Sequence, residues 1–286
     1  MGLDVIREFD PWGDPWCTCP KKYSLNPYTG CSHRCVYCYI TSYIPRAFEC
    51  RPKASLVARV KRDLAKIERN RLISMSNSSD PYPPLEKKLG LTRQCLEIFL
   101  ERGIPFQIIT KSDLVIRDLQ ILSEARCVVS FTITTLSEKI RRKLEPGAPP
   151  SERRLRALEE LKDAGVPTTV RLDPVIPLLN ESEVDKIVEA AVGAGASHIT
   201  SSTFKPRPDS WKRFAQAFPK IAEEIRELYF GFGIKHQNAW YLPEEERRRL
   251  LEAVQRACAR RGVTFSACRE NIRFEAPSCD GSHLIR

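Results

Sequence analysis

Cys31, Cys35 and Cys38 stand in a Cys-x3-Cys-x2-Cys array, within Asn26-Pro-Tyr-Thr-Gly-Cys-Ser-His-Arg-Cys-Val-Tyr-Cys-Tyr-Ile. The chain has 11 cysteines in 286 residues, too few for a disulfide scaffold of that length. Clustered thiols in a reducing compartment point to metal before disulfide. Three thiolates are one short of a closed tetrahedral site. On a four-iron cluster they would hold three irons and leave the fourth open. An open iron can chelate the amino and carboxylate groups of S-adenosylmethionine (SAM). An electron passed into the sulfonium then gives a 5′-deoxyadenosyl radical, a hydrogen abstractor that no side chain can replace.

A second set of thiols lies near the two termini: Cys17 and Cys19, then Cys268 and Cys279. Domain termini are often close in space, so these four would form one closed site, for structural zinc or for a second iron–sulfur cluster. The alternative is that they are ordinary thiols. Cys95, Cys127 and Cys258 occupy apolar positions and read as packing. Cys50 has no assigned place. The 4 histidines form no ligand set, although His33, inside the cysteine loop, is placed to tune a cluster's potential.

The elements that must position these residues show in the alternation of patterns. Apolar, β-rich runs at 22–26, 72–76, 106–110, 127–133, 168–172 and 198–203 predict strands. Helical periodicity fills the gaps, at 54–69, 91–102, 114–124, 151–164, 181–194 and 210–228. Repeated βα units imply a parallel sheet buried on both faces. Six units fall short of the eight that close a full barrel. The predicted fold is therefore α/β, a partial (β/α)6 TIM-like barrel over residues 20–233. Residues 1–19 and 234–286, with a helix at 243–261 and a short strand at 263–266, would form a small Cys-bearing cap. In parallel βα folds chemistry sits at the carboxyl ends of the strands, which here are 31–39, 77–80, 111–112, 132–135, 171–174 and 201–205.

The sequence resembles the radical SAM superfamily and, within it, the spore photoproduct lyase-like group. The likeness runs from about Tyr23 to Arg213 and rests on further blocks besides the three cysteines. These are Ser79-Asp-Pro-Tyr-Pro-Pro, Leu91-Thr-Arg-Gln-Cys-Leu-Glu, Ile109-Thr-Lys-Ser, Val115-Ile-Arg-Asp-Leu, Glu145-Pro-Gly-Ala-Pro and Asp173-Pro-Val-Ile-Pro. The resemblance implies that Cys31, Cys35 and Cys38 hold a [4Fe-4S] cluster. It implies that Ser78, Ser79 and Asp80 receive the amino group of SAM, that Lys111 meets its carboxylate, that Thr132 assists with a hydroxyl, and that Arg171 partners the carboxylate or ribose. Tyr37 and Tyr39, beside the last cysteine, would be catalytic. Asn77 stands where the spore lyase carries a hydrogen-donating cysteine, and no cysteine lies between Cys50 and Cys95. That departure speaks for the cofactor chemistry rather than for the lyase's substrate.

The net charge is +10, and two stretches carry it. Residues 51–71 hold eight basic and two acidic side chains, and residues 139–156 hold seven and two. Clustered positive charge favours a polyanionic partner, nucleic acid first; the bland reading is a solvated helix face. The expected activity is thus radical SAM chemistry on a nucleic-acid base, of a DNA-repair-lyase or RNA-modifying kind, with an electron donor such as a ferredoxin or flavodoxin. The rivals are a radical enzyme acting on a protein or small metabolite, and a non-catalytic zinc-bearing nucleic-acid-binding module. At 42% apolar and 29% charged residues the chain can bury a sizeable core. It has no apolar run of membrane-spanning length, and acids near its start where a secretory signal would be apolar. A cytoplasmic protein is expected.

Overall fold

A computed structural model describes residues 2–10, 13–75 and 78–285; the expected catalytic position Asn77 lies outside the described residues. The strands are β1 (Ile6–Glu8), β2 (Tyr23–Leu25), β3 (Tyr28–Thr29), β4 (Arg51–Pro52), β5 (Ile73–Met75), β6 (Phe106–Thr110), β7 (Cys127–Thr132), β8 (Thr168–Val175), β9 (His198–Thr203), β10 (Ile234–His236), β11 (Ala239–Tyr241) and β12 (Thr264–Ala267). The helices are α1 (Leu56–Leu64), α2 (Glu86–Leu89), α3 (Leu91–Arg102), α4 (Leu119–Glu124), α5 (Glu138–Leu144), α6 (Ser151–Asp163), α7 (Val184–Gly193), α8 (Pro208–Ala217), α9 (Pro219–Phe230) and α10 (Glu244–Ala259).

One 8-stranded sheet runs β1-β2-β5-β6-β7-β8-β9-β12. Its neighbours from β2 to β12 pair in parallel, and β1 adds to β2 antiparallel. The six predicted strands are its centre. Alternation along each strand divides its residues between two faces. In β7, Cys127, Val129 and Phe131 belong to the apolar core, whereas Ser130 and Thr132 are buried polar residues of the alternate set. The same happens at Gln107 in β6 and Thr200 in β9, so the curled sheet has an apolar outer face under its helices and a polar interior.

The termini do not stand apart as a cap. β1 and β12 extend the sheet, one at each edge. The tail also enters the interior: the carbonyl of Asp280 accepts from Gln107 Nε2 at 2.7 Å, and that of Cys279 accepts from Thr200 Oγ1 at 3.1 Å and Ser266 Oγ at 2.7 Å. Lys22, buried before β2, pairs with the Asp280 carboxylate. The tail thus ties β6 and β9 to both flanks of the sheet.

Two predicted helices differ in detail. The pattern at 210–228 is two helices, broken at Phe218-Pro219, because proline starts a helix but cannot continue one. The pattern at 114–124 begins as a 3₁₀ turn, Asp113–Asp118, before α4. The short helices α2 and α5 and the β10–β11 hairpin lie outside the predicted elements.

Candidate active site

The cysteine loop leaves β3 and turns at Gly30, whose φ of +77° is a left-handed conformation. A Cβ at Gly30 would run into the Glu49 carbonyl oxygen, so glycine lets the loop pack against residues 47–49. The loop is braced from two sides. Arg213 on α8 donates to Val36 O at 3.2 Å and Cys38 O at 2.6 Å. Opposite, Gly147 N donates to His33 O at 2.9 Å, and His33 Nδ1 lies 3.2 Å from Gly147 O. Gly147 has no room for a side chain: a Cβ there would collide with Ser32 O and sit 3.0 Å from His33 Cα.

Cys31, Cys35 and Cys38 all face one cavity of about 520 Å³, a size that suits a small-molecule site. Ser78, Ser79, Asp80, Lys111, Thr132, Arg171, Tyr37 and Tyr39 line the same cavity. The structure therefore gathers every described residue of the expected cofactor site at the carboxyl ends of the strands. Burial pushes Cys31 and Cys35 up to about 12 and Cys38 up to about 11. Bare, these thiols stay protonated; a metal takes them as thiolates and releases the protons. Three thiols on one loop, Cys35 buried and Cys31 and Cys38 half-buried, facing a cavity with a cation and hydroxyls, fit a cluster with one open iron.

Asp80 is held on several sides by the protein. Its carboxylate accepts from Tyr82 N at 2.9 Å, Thr110 Oγ1 at 2.7 Å and Lys111 N at 2.8 Å, and His33 Nε2 lies 2.9 Å from Oδ2. A carboxylate has about four acceptor sites; three of them take these hydrogen bonds, and the His33 ring lies beside Oδ2. Burial alone would raise its pKa, but His33 and these hydrogen bonds hold it down at about 2. Asp80 binds the cysteine loop to the strand end carrying Lys111. Ser79 Oγ donates to Tyr28 O at 2.8 Å, which leaves its lone pairs to accept from an ammonium.

Lys111 Nζ lies 3.9 Å from Glu145 Oε1 and 5.6 Å from the centre of the Tyr37 ring. Burial pulls the pKa of Lys111 down, but Cys35 and Glu145 outweigh it and keep the ammonium charged. Glu145 is fully buried, pairs with Arg154 at 2.7 Å and accepts from Thr134 Oγ1 at 3.0 Å. It also accepts from the hydroxyl of Tyr37, which commits that phenol to a protein partner. Arg171 pairs with Asp173 at 2.7 Å. Tyr39 is 37% exposed, stacked on Tyr43 at 6.1 Å, with the Arg207 guanidinium 5.7 Å from its ring centre.

Sequence reasoning missed Glu145, His33 as a partner of Asp80, and Arg213. Glu145 and Gly147 sit in the quoted Glu-Pro-Gly-Ala-Pro block, so a signal existed without a role attached.

Part of the charge of the basic stretches is paired within the fold. In 139–156, Arg141 and Arg142 pair with Glu138, Arg153 with Asp113, Arg154 with Glu145 and Arg156 with Glu152. In 51–71, Arg59 and Arg62 pair with Asp4, and Arg71 with Glu8 and Glu68. Neither stretch lines the cavity. The terminal thiols do approach it: Cys19, Cys268 and Cys279 are among its lining residues. Cys95, Cys127 and Cys258 are buried, as packing residues should be. No helix among the described residues is long and apolar enough to cross a membrane.

The strand-end cavity with its three-cysteine loop defines the class as a radical SAM enzyme. The superfamily profile "Radical SAM superfamily" matches residues 25–191, and the chain belongs to that superfamily, which implies a [4Fe-4S] cluster and SAM. An uncharacterized protein of Mycobacterium tuberculosis (strain ATCC 25618 / H37Rv) is 27% identical over 255 residues, 82% of this chain and 73% of that protein. An uncharacterized protein of Methanocaldococcus jannaschii is 33% identical over 167 residues, 57% of this chain and 63% of the relative. Among solved structures, a spore photoproduct lyase mutant with bound AdoMet and dinucleoside spore photoproduct has a TM-score of 0.68 at 16% identity, covering 92% of this chain and 78% of that one. That likeness is one of fold.

Proposed function

We propose that this enzyme binds SAM on the Cys31–Cys35–Cys38 cluster and uses the resulting radical on a nucleic-acid base. When bound, the cluster supplies the electron that cleaves SAM to methionine and a 5′-deoxyadenosyl radical. Lys111 meets the carboxylate of SAM, Ser78 and Ser79 accept from its amino group, and Thr132 and Arg171 orient the rest. Asp80 and Glu145 hold this set in place from behind.

The observation that carries the substrate class is the pair Tyr39 and Tyr43, stacked on each other and 37% and 42% exposed, beside the same cavity as the cluster cysteines. Exposed aromatics with a guanidinium over one ring suit a base taken out of its stack. Because neither basic stretch lines the cavity, recognition of the reacting base falls to the cavity and its rim. An electron donor of ferredoxin or flavodoxin type, in the cytoplasm, would complete the system.

The test is 5′-deoxyadenosine formation by reconstituted enzyme under dithionite, with short single-stranded DNA or RNA, peptide mixtures, or no addition. Stimulation by an oligonucleotide, weakened by Tyr39→Ala, is expected. Stimulation by peptides or metabolites alone would move the enzyme to the other substrate class.

A further inference from the structure

Cys19 and Cys279 are 260 positions apart in sequence, yet the thiol of Cys279 lies 3.0 Å from that of Cys19. Their sulfurs and a carboxylate oxygen of Asp280 all fall within 4.8 Å of one another, and no other such trio forms among the described residues. Cys17 makes a side-chain hydrogen bond with Cys19, and Cys268 is close enough to interact electrostatically with both Cys17 and Cys279. Asp280 is already used: its carboxylate pairs with buried Lys22 and accepts from Ser282 N at 3.0 Å. The four sulfurs are the ligands that remain.

We propose that Cys17, Cys19, Cys268 and Cys279 bind a single zinc ion as four thiolates, and that this ion fastens the carboxyl-terminal tail inside the barrel beside the cavity. Zn–S bonds near 2.3 Å put tetrahedral sulfurs about 3.8 Å apart; Cys19 and Cys279, at 3.0 Å, already lie inside that spacing, and Cys17 and Cys268 would close onto the pair. A four-iron cube puts its own atoms between its thiolates and holds them further apart than the Cys19–Cys279 pair. Binding involves no redox step: four S–H bonds are exchanged for four Zn–S bonds, and the protons leave to solvent. Cys17 and Cys19 precede β2, whereas Cys268 follows β12, so the ion joins the two flanks of an open sheet. The inference does not depend on the identity of the substrate.

The protein with Cys31, Cys35 and Cys38 all changed to Ala isolates this site. Purified without chelator, it should contain about one zinc per chain and no iron. Replacing the zinc with Co²⁺ should give the intense sulfur-to-cobalt absorption of a tetrahedral thiolate site. Adding Cys19→Ser and Cys279→Ser should abolish both signals. Should that variant fail to fold, the wild-type chain serves instead: stripping zinc with a chelator should lower its thermal midpoint, and zinc alone should restore it. A folded triple variant without metal overturns the proposal, as does one that keeps about four irons with sulfide, or a midpoint indifferent to zinc. None of these results touches SAM cleavage, which is read separately as 5′-deoxyadenosine from the wild type.

Discussion

Lys111 lines the cavity and Glu145 is buried behind it, with Nζ 3.9 Å from Oε1. They come from different βα units, and Glu145 also takes the hydroxyl of Tyr37 from the cysteine loop. One buried carboxylate therefore sets the position of the cation proposed to meet SAM and of the aromatic residue in the cysteine loop. Arg154 supplies a second positive charge, so the group around Glu145 keeps one net positive charge for an anionic ligand.

Lys111→Met should weaken SAM binding without removing the cluster. A hydrogen bond to a charged group contributes about 1.5–3 kcal/mol, so affinity should fall tenfold to a hundredfold. Equilibrium binding to the reconstituted variant, with iron measured in the same sample, checks this; unchanged affinity would remove Lys111 from the site.

Glu145→Gln leaves Arg154, fully buried, facing a neutral amide. Removing one partner of a buried pair costs about 3–5 kcal/mol, and the retained amide oxygen places Gln near the lower end. Denaturant unfolding of the metal-free protein measures the loss. A change below 1 kcal/mol, on the scale of a surface pair, would mean that the site tolerates the unpaired charge.

Gly147→Ala tests the close approach behind the cysteine loop. The added methyl cannot fit against Ser32 O, and displacing the loop costs about 1–3 kcal/mol. Iron per chain after reconstitution should fall below that of the wild type, while Gly193→Ala, on α7 with open space around it, should leave iron unchanged. Full iron in Gly147→Ala would show that the loop finds its position without this contact.

Much of this was legible in the sequence because it is local. The strands β2 and β5 to β9 follow from short apolar runs, and the cluster loop from the spacing of three cysteines. What was not legible is held by contacts distant in sequence. The part of the basic charge that is paired could not be read from the stretches themselves, because the acidic partners, such as Asp4, Glu8 and Asp113, lie outside them. The bonds from Thr110 and the Lys111 amide to Asp80 join positions about thirty residues apart, which no local pattern marks. The strand β1 is three residues long with one buried side chain, too short to give an alternation signal.

The attachment of that strand gives a further prediction. Asp63 on α1 is buried and accepts from the amides of Asp4, Val5 and Ile6 at 2.7–3.1 Å. Asp63→Ala strands these donors, and leaving a buried donor unpaired costs about 1–3 kcal/mol. The variant should lose about that much stability, and limited proteolysis should trim its first residues sooner than in the wild type. Wild-type resistance would mean that β1 is held by its pairing with β2 alone.

The central claim is that Cys31, Cys35 and Cys38 hold the cluster that cleaves SAM. The direct measurement is 5′-deoxyadenosine formed under dithionite by anaerobically reconstituted protein, wild type against the triple Ala variant. The wild type should produce it, and the variant should produce none while remaining folded. Continued formation of 5′-deoxyadenosine by the triple variant would contradict the assignment.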